Sequence, residues 1–489
     1  LNSFTALDLA VVAAYLVLVT VLGSWFARRQ KDASDYFLAD HAVPWWATCF
    51  SIVATETSAL TVISVPATAY GGGLWMIQLA LGYLLGRVLV SWLLLPGYFR
   101  GQTVTAYTLL ERRFGNRARR FASLVFLVTR TLADAVRVFA TAIPLAVLTG
   151  IPVWVSILLI GIFTLAYSYY GGLRAVVWVD VAQMFIYLVG GIAVLWVLVA
   201  RLPGGWEALA AEAGAAGRLR VFHPTGGFAD PAWLFTGLVG GAFLTMATHG
   251  VDHLIVQRLM ASPSLRDARK ALVTSGVVVL IQFALFLVIG AGLWVFYGGR
   301  AFSPAEAVFP TFATEHLPPG ISGLVVAAVL AAAMSSSLNA LAAVSVHDIY
   351  VPLTGRDGEE HLLRVGKRFT LFWGVMLIAV SLGFQLLATG APLVLVALQI
   401  ASFTYGGLLG GFLLGLLSQR ADETDALAGM AVAVATMTAL WAAQQFGAMP
   451  KLIDTLWFAL LGSAVTVAVG GASAALRARE AETKVVGAK

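Results

Sequence analysis

Cysteine and charge are what this sequence has least of. A single cysteine, Cys49, stands in 489 residues, which excludes an intrachain disulfide and argues against a cysteine-based metal centre. Only 11% of the residues are charged while 60% are hydrophobic, and the mean hydropathy is +0.87. A chain of that make-up cannot present a polar surface to water over most of its length, so lipid must solvate it and a soluble globular fold is excluded. Also missing are a phosphate-binding glycine loop, an HExxH zinc helix and a GxSxG elbow, which leaves a membrane-embedded enzyme or sensor as the remote reading. No polar stretch is long enough for a separate soluble domain; the longest, 201–231, contains GGWEALAAEAGAAGRL and suits a short surface helix. The loop 298–319 reads in the same way.

What the sequence has in abundance is apolar runs of the roughly 20 residues that cross about 30 Å of hydrocarbon. They fall at 5–27, 44–70, 75–98, 118–148, 152–170, 176–200, 232–257, 270–297, 320–346, 369–388, 392–417, 425–447 and 452–476, thirteen spans of an all-helical polytopic membrane protein. The opening run carries Asp8 rather than a basic flank and reads as a retained span, not a leader. The net charge of +6 would suggest a nucleic-acid partner in a soluble protein. Here the basic residues gather in alternate loops, as at Arg112, Arg113, Arg117, Arg119 and Arg120, or Arg356, Arg364, Lys367 and Arg368. By the positive-inside rule these loops are cytoplasmic, which places the amino terminus outside and the carboxyl terminus inside, with no nucleic-acid partner. A multi-pass protein of the cell membrane, working as a monomer, is the expectation.

Polar groups inside these runs need partners or a cavity. Span two is interrupted by Ala54, Thr55, Glu56, Thr57 and Ser58, and span seven by Thr248, His249, Gly250, Val251, Asp252 and His253. These two spans open two sets of five, spans two to six (44–200) and seven to eleven (232–417), and an odd number per set makes the sets enter the membrane from opposite sides. One domain results, with a leading segment (1–43), an external loop (201–231) and two further helices with a tail (418–489). Interrupted helices at matching positions of two halves point to a transporter's binding site. Glu56 reads equally as a functional carboxylate and as one buried against a partner. Arg130, Asp134 and Arg137 share one face of span four and carry one excess positive charge; Arg87 in span three is a similar intramembrane cation. A guanidinium left over there suits a substrate carboxylate, hence an organic anion, whereas a closed ion-pair network is the plainer use. His249 and Thr248 lie at the second break, and Gln399 in span eleven is a substrate contact or an interhelical hydrogen bond. Ser335, Ser336, Ser337 and Asn339 form a polar run within span nine.

Several of these stretches carry a family resemblance. AAAMSSSLNA followed by DIY (331–350), YFLADHAVPWW (36–46), YYGGLRAVVWVDVAQ (169–183) and DHLIVQR (252–258) resemble signatures of the solute:sodium symporter family, over about 36–420. Asp40 stands where the YFLAG-type lead has glycine, and His253 where glutamine is usual. The resemblance implies an inverted-repeat fold with a coupling sodium held by main-chain oxygens of Ala54, Thr57 and Ala332 and the hydroxyls of Ser335 and Ser336. It also implicates Asp180 in sodium dependence; a cap at a helix start or a pair with Arg174 is the alternative for that carboxylate. Arg258 reads as a cytoplasmic anchor. The whole is expected to be a sodium-coupled symporter importing a small organic solute by alternating access, with tentative substrate contacts at Glu56, Arg130, Arg137, Thr248, His249 and Gln399 and no organic cofactor. A proton-coupled or sodium-independent carrier on the same fold is the alternative.

Overall fold

In hydrocarbon a segment must satisfy its own backbone N–H and C=O groups, so each apolar run of this chain closes on itself as a helix. The computed structural model describes residues 5–27, 32–57, 59–100, 103–303, 305–333, 337–387 and 393–487, and among these there is helix and no strand. In chain order the main helices are α1 (Ala6–Ala27), α2 (Ala33–Leu38), α3 (Trp45–Glu56), α4 (Ala59–Gly72), α5 (Met76–Leu93), α6 (Asn116–Thr149), α7 (Val153–Arg201) and α8 (Gly241–Gly250). There follow α9 (His253–Met260), α10 (Leu265–Phe296), α11 (Ile321–Ala333), α12 (Ser337–Val344), α13 (Glu359–Leu387), α14 (Leu393–Leu417), α15 (Glu423–Gln445) and α16 (Phe458–Gly487). Among the described residues six helices are long and apolar enough to cross a membrane, and a seventh span results if α3 and α4 are one bent crossing. Shorter apolar helices cover Ala6–Leu22, Val153–Ala166, Ile321–Leu330 and Thr404–Leu417.

Both expected interruptions are real. Helix α3 ends at Glu56, Thr57 is extended (φ −70°, ψ 124°), and the flanking segments bend by 65°. Helix α8 ends at Gly250, and α9 restarts behind Asp252, whose side chain accepts from the Leu254 N–H at 2.9 Å as an N-cap. The runs 152–170 and 176–200 are the two arms of α7, which is kinked at Gly172, a non-helical residue inside it (φ 56°, ψ −163°). Only glycine adopts that conformation without steric cost, which explains a glycine inside the YGGL sequence.

Helix α1 packs along α7 and α11, while α15 and α16 pack on each other and on α14. The first helix and the last two therefore flank the bundle that contains the breaks. A surface helix, Gly205–Ala215, forms in the 201–231 loop as its Ala and Glu content suggests.

Candidate functional site

Ending a helix in mid-membrane leaves the carbonyls of its last turn without intrahelical partners. At the end of α3 the Thr57 N–H still bonds the Val53 carbonyl at 2.8 Å, and the Thr57 hydroxyl also donates to Val53 O (2.8 Å) and to Gln282 Oε1 (3.0 Å). Ala54 lies in the last turn of α3 and Thr57 directly follows it, the two main-chain positions expected to hold a cation. Ala332 lies in the last turn of α11. Ser335 and Ser336 lie outside the described residues; Ser337 and Asn339 are buried at the start of α12.

Four arginines sit in the bundle, and the structure shows what each one does. Arg87, with no side-chain exposure, donates through Nη2 to Glu56 Oε2 and stands 3.0 Å from His249 Nε2. His249 Nε2 is in turn 3.5 Å from Glu56 Oε2, and its Nδ1 meets the Thr248 hydroxyl at 2.9 Å. The Thr248 hydroxyl donates its one proton to Leu244 O (3.0 Å), so Nδ1 is the donor to Thr248 and Nε2 accepts from Arg87. Glu56 and His249 thus belong to one bridge that joins the two broken helices through α5. Arg130 donates from Nε to Asp134 Oδ2 (2.8 Å) on its own helix and from Nη1 to Asp252 Oδ2 (3.3 Å) at the second break. Arg258 is fully buried, where the sequence suggested a cytoplasmic anchor: it donates to Asp180 Oδ2 (3.1 Å), Ser51 Oγ (2.9 Å) and Leu254 O (2.7 Å). The correction is one of burial: Arg258 is enclosed by the bundle and paired with a carboxylate rather than exposed at its edge. Asp180 also accepts from Ser51 at 2.6 Å, and Arg174, its suggested partner, instead donates to the Ala39 carbonyl and pairs with Asp35 at 3.2 Å.

Arg137 is the exception. It is half-buried on α6, donates from Nη1 to the Thr55 carbonyl at 3.0 Å, and has no carboxylate partner among the described residues. The three charges that share a face of span four therefore divide: Arg130 is spent on two aspartates, and Arg137 reaches the first break with no direct carboxylate pair among the described residues. Gln399 does not join this group; its Oε1 accepts from Trp441 Nε1 of α15 at 2.7 Å, the interhelical use.

Sequence reasoning missed where the signature residues meet. Gln257 Nε2 donates to the Phe37 carbonyl (2.9 Å) and to Asn339 Oδ1 (2.8 Å), and Asn339 Nδ2 donates to the Tyr36 carbonyl (3.1 Å). The Val43 N–H bonds the Ala261 carbonyl at 3.0 Å and His41 Nδ1 lies 2.5 Å from the Met260 carbonyl. Residues from three motifs thus clasp α2 against α9 and α12. The side-chain amides themselves were the available indication, since a buried amide must find partners.

Comparisons with known proteins identify the family. The profile of the sodium:solute symporter family matches residues 36–433. The sodium/sialic acid symporter NanT of Aliivibrio fischeri is 27% identical, over 96% of this chain and 93% of the relative. The human sodium/iodide cotransporter is 30% identical, over 90% of this chain and 70% of its own length. Among solved structures, a substrate-bound, outward-open Na+-coupled sialic acid symporter superposes with a TM-score of 0.86 at 27% identity, covering 97% of this chain and 98% of the other. A nucleobase-cation-symport-1 family transporter, at 14% identity and a TM-score of 0.59, shares the fold. This multi-pass membrane chain, a transporter and not an enzyme, belongs to the sodium:solute symporter family.

Proposed function

We propose that the chain imports a small organic anion, bearing a carboxylate, together with sodium by alternating access. The observation that carries this reading is Arg137, whose guanidinium stands at the first break with no carboxylate partner among the described residues. A planar fork of donors in a low-dielectric setting suits a carboxylate, which it can bind through two parallel hydrogen bonds. The charge count supports coupling. Arg87, Arg130, Arg137 and Arg258 balance Glu56, Asp134, Asp180 and Asp252, so an anion entering alone would leave the interior charged, whereas an anion with one cation would not. The relatives include two named as sodium/sialic acid symporters, and sialic acid is a carboxylate.

In this reading the sodium is held by the carbonyls of Ala54, Thr57 and Ala332 and the hydroxyls of Ser335 and Ser336. Asp180, engaged here by Arg258 and Ser51, is a second cation position that becomes available when Arg258 moves. Glu56, Thr248 and His249 form the wall of the substrate site, with Arg130 supporting it from behind. Thirteen crossings comprise two inverted sets of five, 44–200 and 232–417, with the amino terminus outside the cytoplasmic membrane. Sodium and solute together favour closure of the outer mouth, and the downhill ion then drives the solute inward. Glu56 in its bond to Arg87 favours sodium over a proton as the driving ion.

The test is sodium-driven uptake of N-acetylneuraminate and of lactate into proteoliposomes, with potassium as the control and Arg137→Gln alongside. Arg137→Gln is expected to raise the half-saturating concentration of the transported acid about tenfold or more while leaving the melting temperature in potassium nearly unchanged. Uptake of neither acid, or a variant that transports like the unmodified protein, would count against the anion reading.

A further inference from the structure

Asp8, near the start of α1, is 2% exposed and both its oxygens are taken. Oδ2 accepts from the Thr5 N–H (2.9 Å) and the Thr5 hydroxyl (2.7 Å) on its own helix. Oδ1 crosses to another helix and accepts from the Gly320 N–H (2.8 Å), the Ser322 hydroxyl (2.6 Å) and the Gly323 N–H (2.8 Å). These are the first-turn donors of α11. The remaining N–H groups there, of Ile321 and Ser322, go to the Pro318 carbonyl at 3.2 and 3.3 Å. A carboxylate on a helix outside the two repeats thus serves as N-cap for span nine, and its negative charge lies where the helix dipole is positive. The two backbones touch: a Cβ on Gly323 would stand 2.6 Å from Asp8 Cα and 2.7 Å from its carbonyl oxygen.

Nothing polar further along α11 could do the same. Its sequence, ISGLVVAAVLAAA, holds one polar side chain, Ser322, and that side chain bonds Asp8. The rest is apolar and mostly small, so its contacts are non-directional packing and offer no further hydrogen bond to fix the helix's height. Axial position is therefore set at the Asp8 end. Nine residues beyond Gly323, about 14 Å along an unbroken helix, lies Ala332, the carbonyl assigned to sodium on this helix. Its counterparts, Ala54 and Thr57, belong to span two, so the cavity between them depends on where α11 stands. Ligand geometry has to be held within about 0.5 Å to bind well.

We propose that Asp8 is a positioning residue for the sodium site: by clamping the first turn of α11 to α1 it sets the axial register of the helix that supplies the ion's ligands. This rests on the sodium site proposed above. The test follows the melting temperature of the purified full chain against sodium concentration, with potassium holding ionic strength constant, for the unmodified protein, Asp8→Asn and Ser322→Ala. Asp8→Asn is expected to raise the half-saturating sodium concentration about tenfold, the size of effect seen when a residue orienting metal ligands is lost. Ser322→Ala, which removes one of the bonds, is expected to raise it less and in the same direction. A merely structural clamp would lower the melting temperature equally in sodium and potassium and leave half-saturation where it was, which overturns the proposal. Should Asp8→Asn fail to fold, Ser322→Ala decides between the same two outcomes. Absence of any sodium-selective stabilisation in the unmodified protein would overturn the sodium site itself, and the positioning role with it.

Discussion

Replacing Arg87 with alanine removes the cation from the bridge at the first break, and the structure sets how large the loss should be. Arg87 has no exposed side-chain surface, while the Glu56 side chain is 23% exposed. Breaking a buried pair by removing one partner costs about 3–5 kcal/mol, because the other charge is left uncompensated. Glu56 has a way out, since a carboxylate can take up a proton. With an ordinary Glu value of about 4.3, protonation at pH 7 costs about 3.7 kcal/mol, and at pH 5 only about 1 kcal/mol. The loss in Arg87→Ala is therefore capped near 4 kcal/mol at pH 7 and shrinks by about 2.7 kcal/mol on going to pH 5. The sign follows from proton binding. Between these pH values the folded variant holds a proton that the unfolded chain has released, so stability falls as pH rises. Glu56→Ala has no such escape. Arg87 cannot lose its proton, so that variant is expected to cost at least as much at pH 7 and to show no recovery at pH 5. Arg87→Met combined with Glu56→Gln removes both charges and should recover most of the stability; set against Arg87→Met and Glu56→Gln made singly, the double-mutant cycle should give a coupling energy well above about 1 kcal/mol. The assay is equilibrium unfolding by denaturant in mixed micelles at both pH values. Additive single losses, or an Arg87→Ala cost that is the same at pH 5 and pH 7, would refute the bridge as drawn.

Two further outcomes follow from particular contacts. Asp180→Asn keeps the shape beside Ser51 but removes the carboxylate that the fully buried Arg258 pairs with; a loss of about 3–5 kcal/mol is expected, partly restored by adding Arg258→Met, and a loss under about 1 kcal/mol would show that Arg258 does not depend on Asp180. Asp40→Gly is expected to stabilise the protein by about 0.5–1 kcal/mol, because Ala39, Asp40 and His41 run consecutively through left-handed φ values of 51°, 53° and 52° that L-residues avoid. Asp40 offers little in return, since it is half exposed and its carboxylate lies 3.7 Å from Arg174. A lower melting temperature in Asp40→Gly would contradict the left-handed turn. The turn also gives a physical reason for glycine in the YFLAG-type lead that Asp40 replaces.

What the chain could reveal unaided is what depends on a single segment. Apolar length places helices in the bilayer, polar residues inside an apolar run mark where a helix must stop, and both breaks formed within 54–58 and 248–253 as the residues there required. The signature stretches, read together, were enough to indicate the family. Which charge meets which was beyond the sequence. Arg258 and Asp180 are 78 positions apart, Arg130 and Asp252 are 122 apart, and Asp8 and Gly323 are 315 apart. Only the packing of separate helices brings such groups within 3.5 Å. Helix-face arguments tied Arg130 to Asp134 correctly, because an i,i+4 pair is local, yet they could not tell that Asp252 from another helix would also claim Arg130 and that Arg137 would be left to the Thr55 carbonyl. Burial in lipid compels every polar group to find a partner, and the tertiary structure alone decides which one.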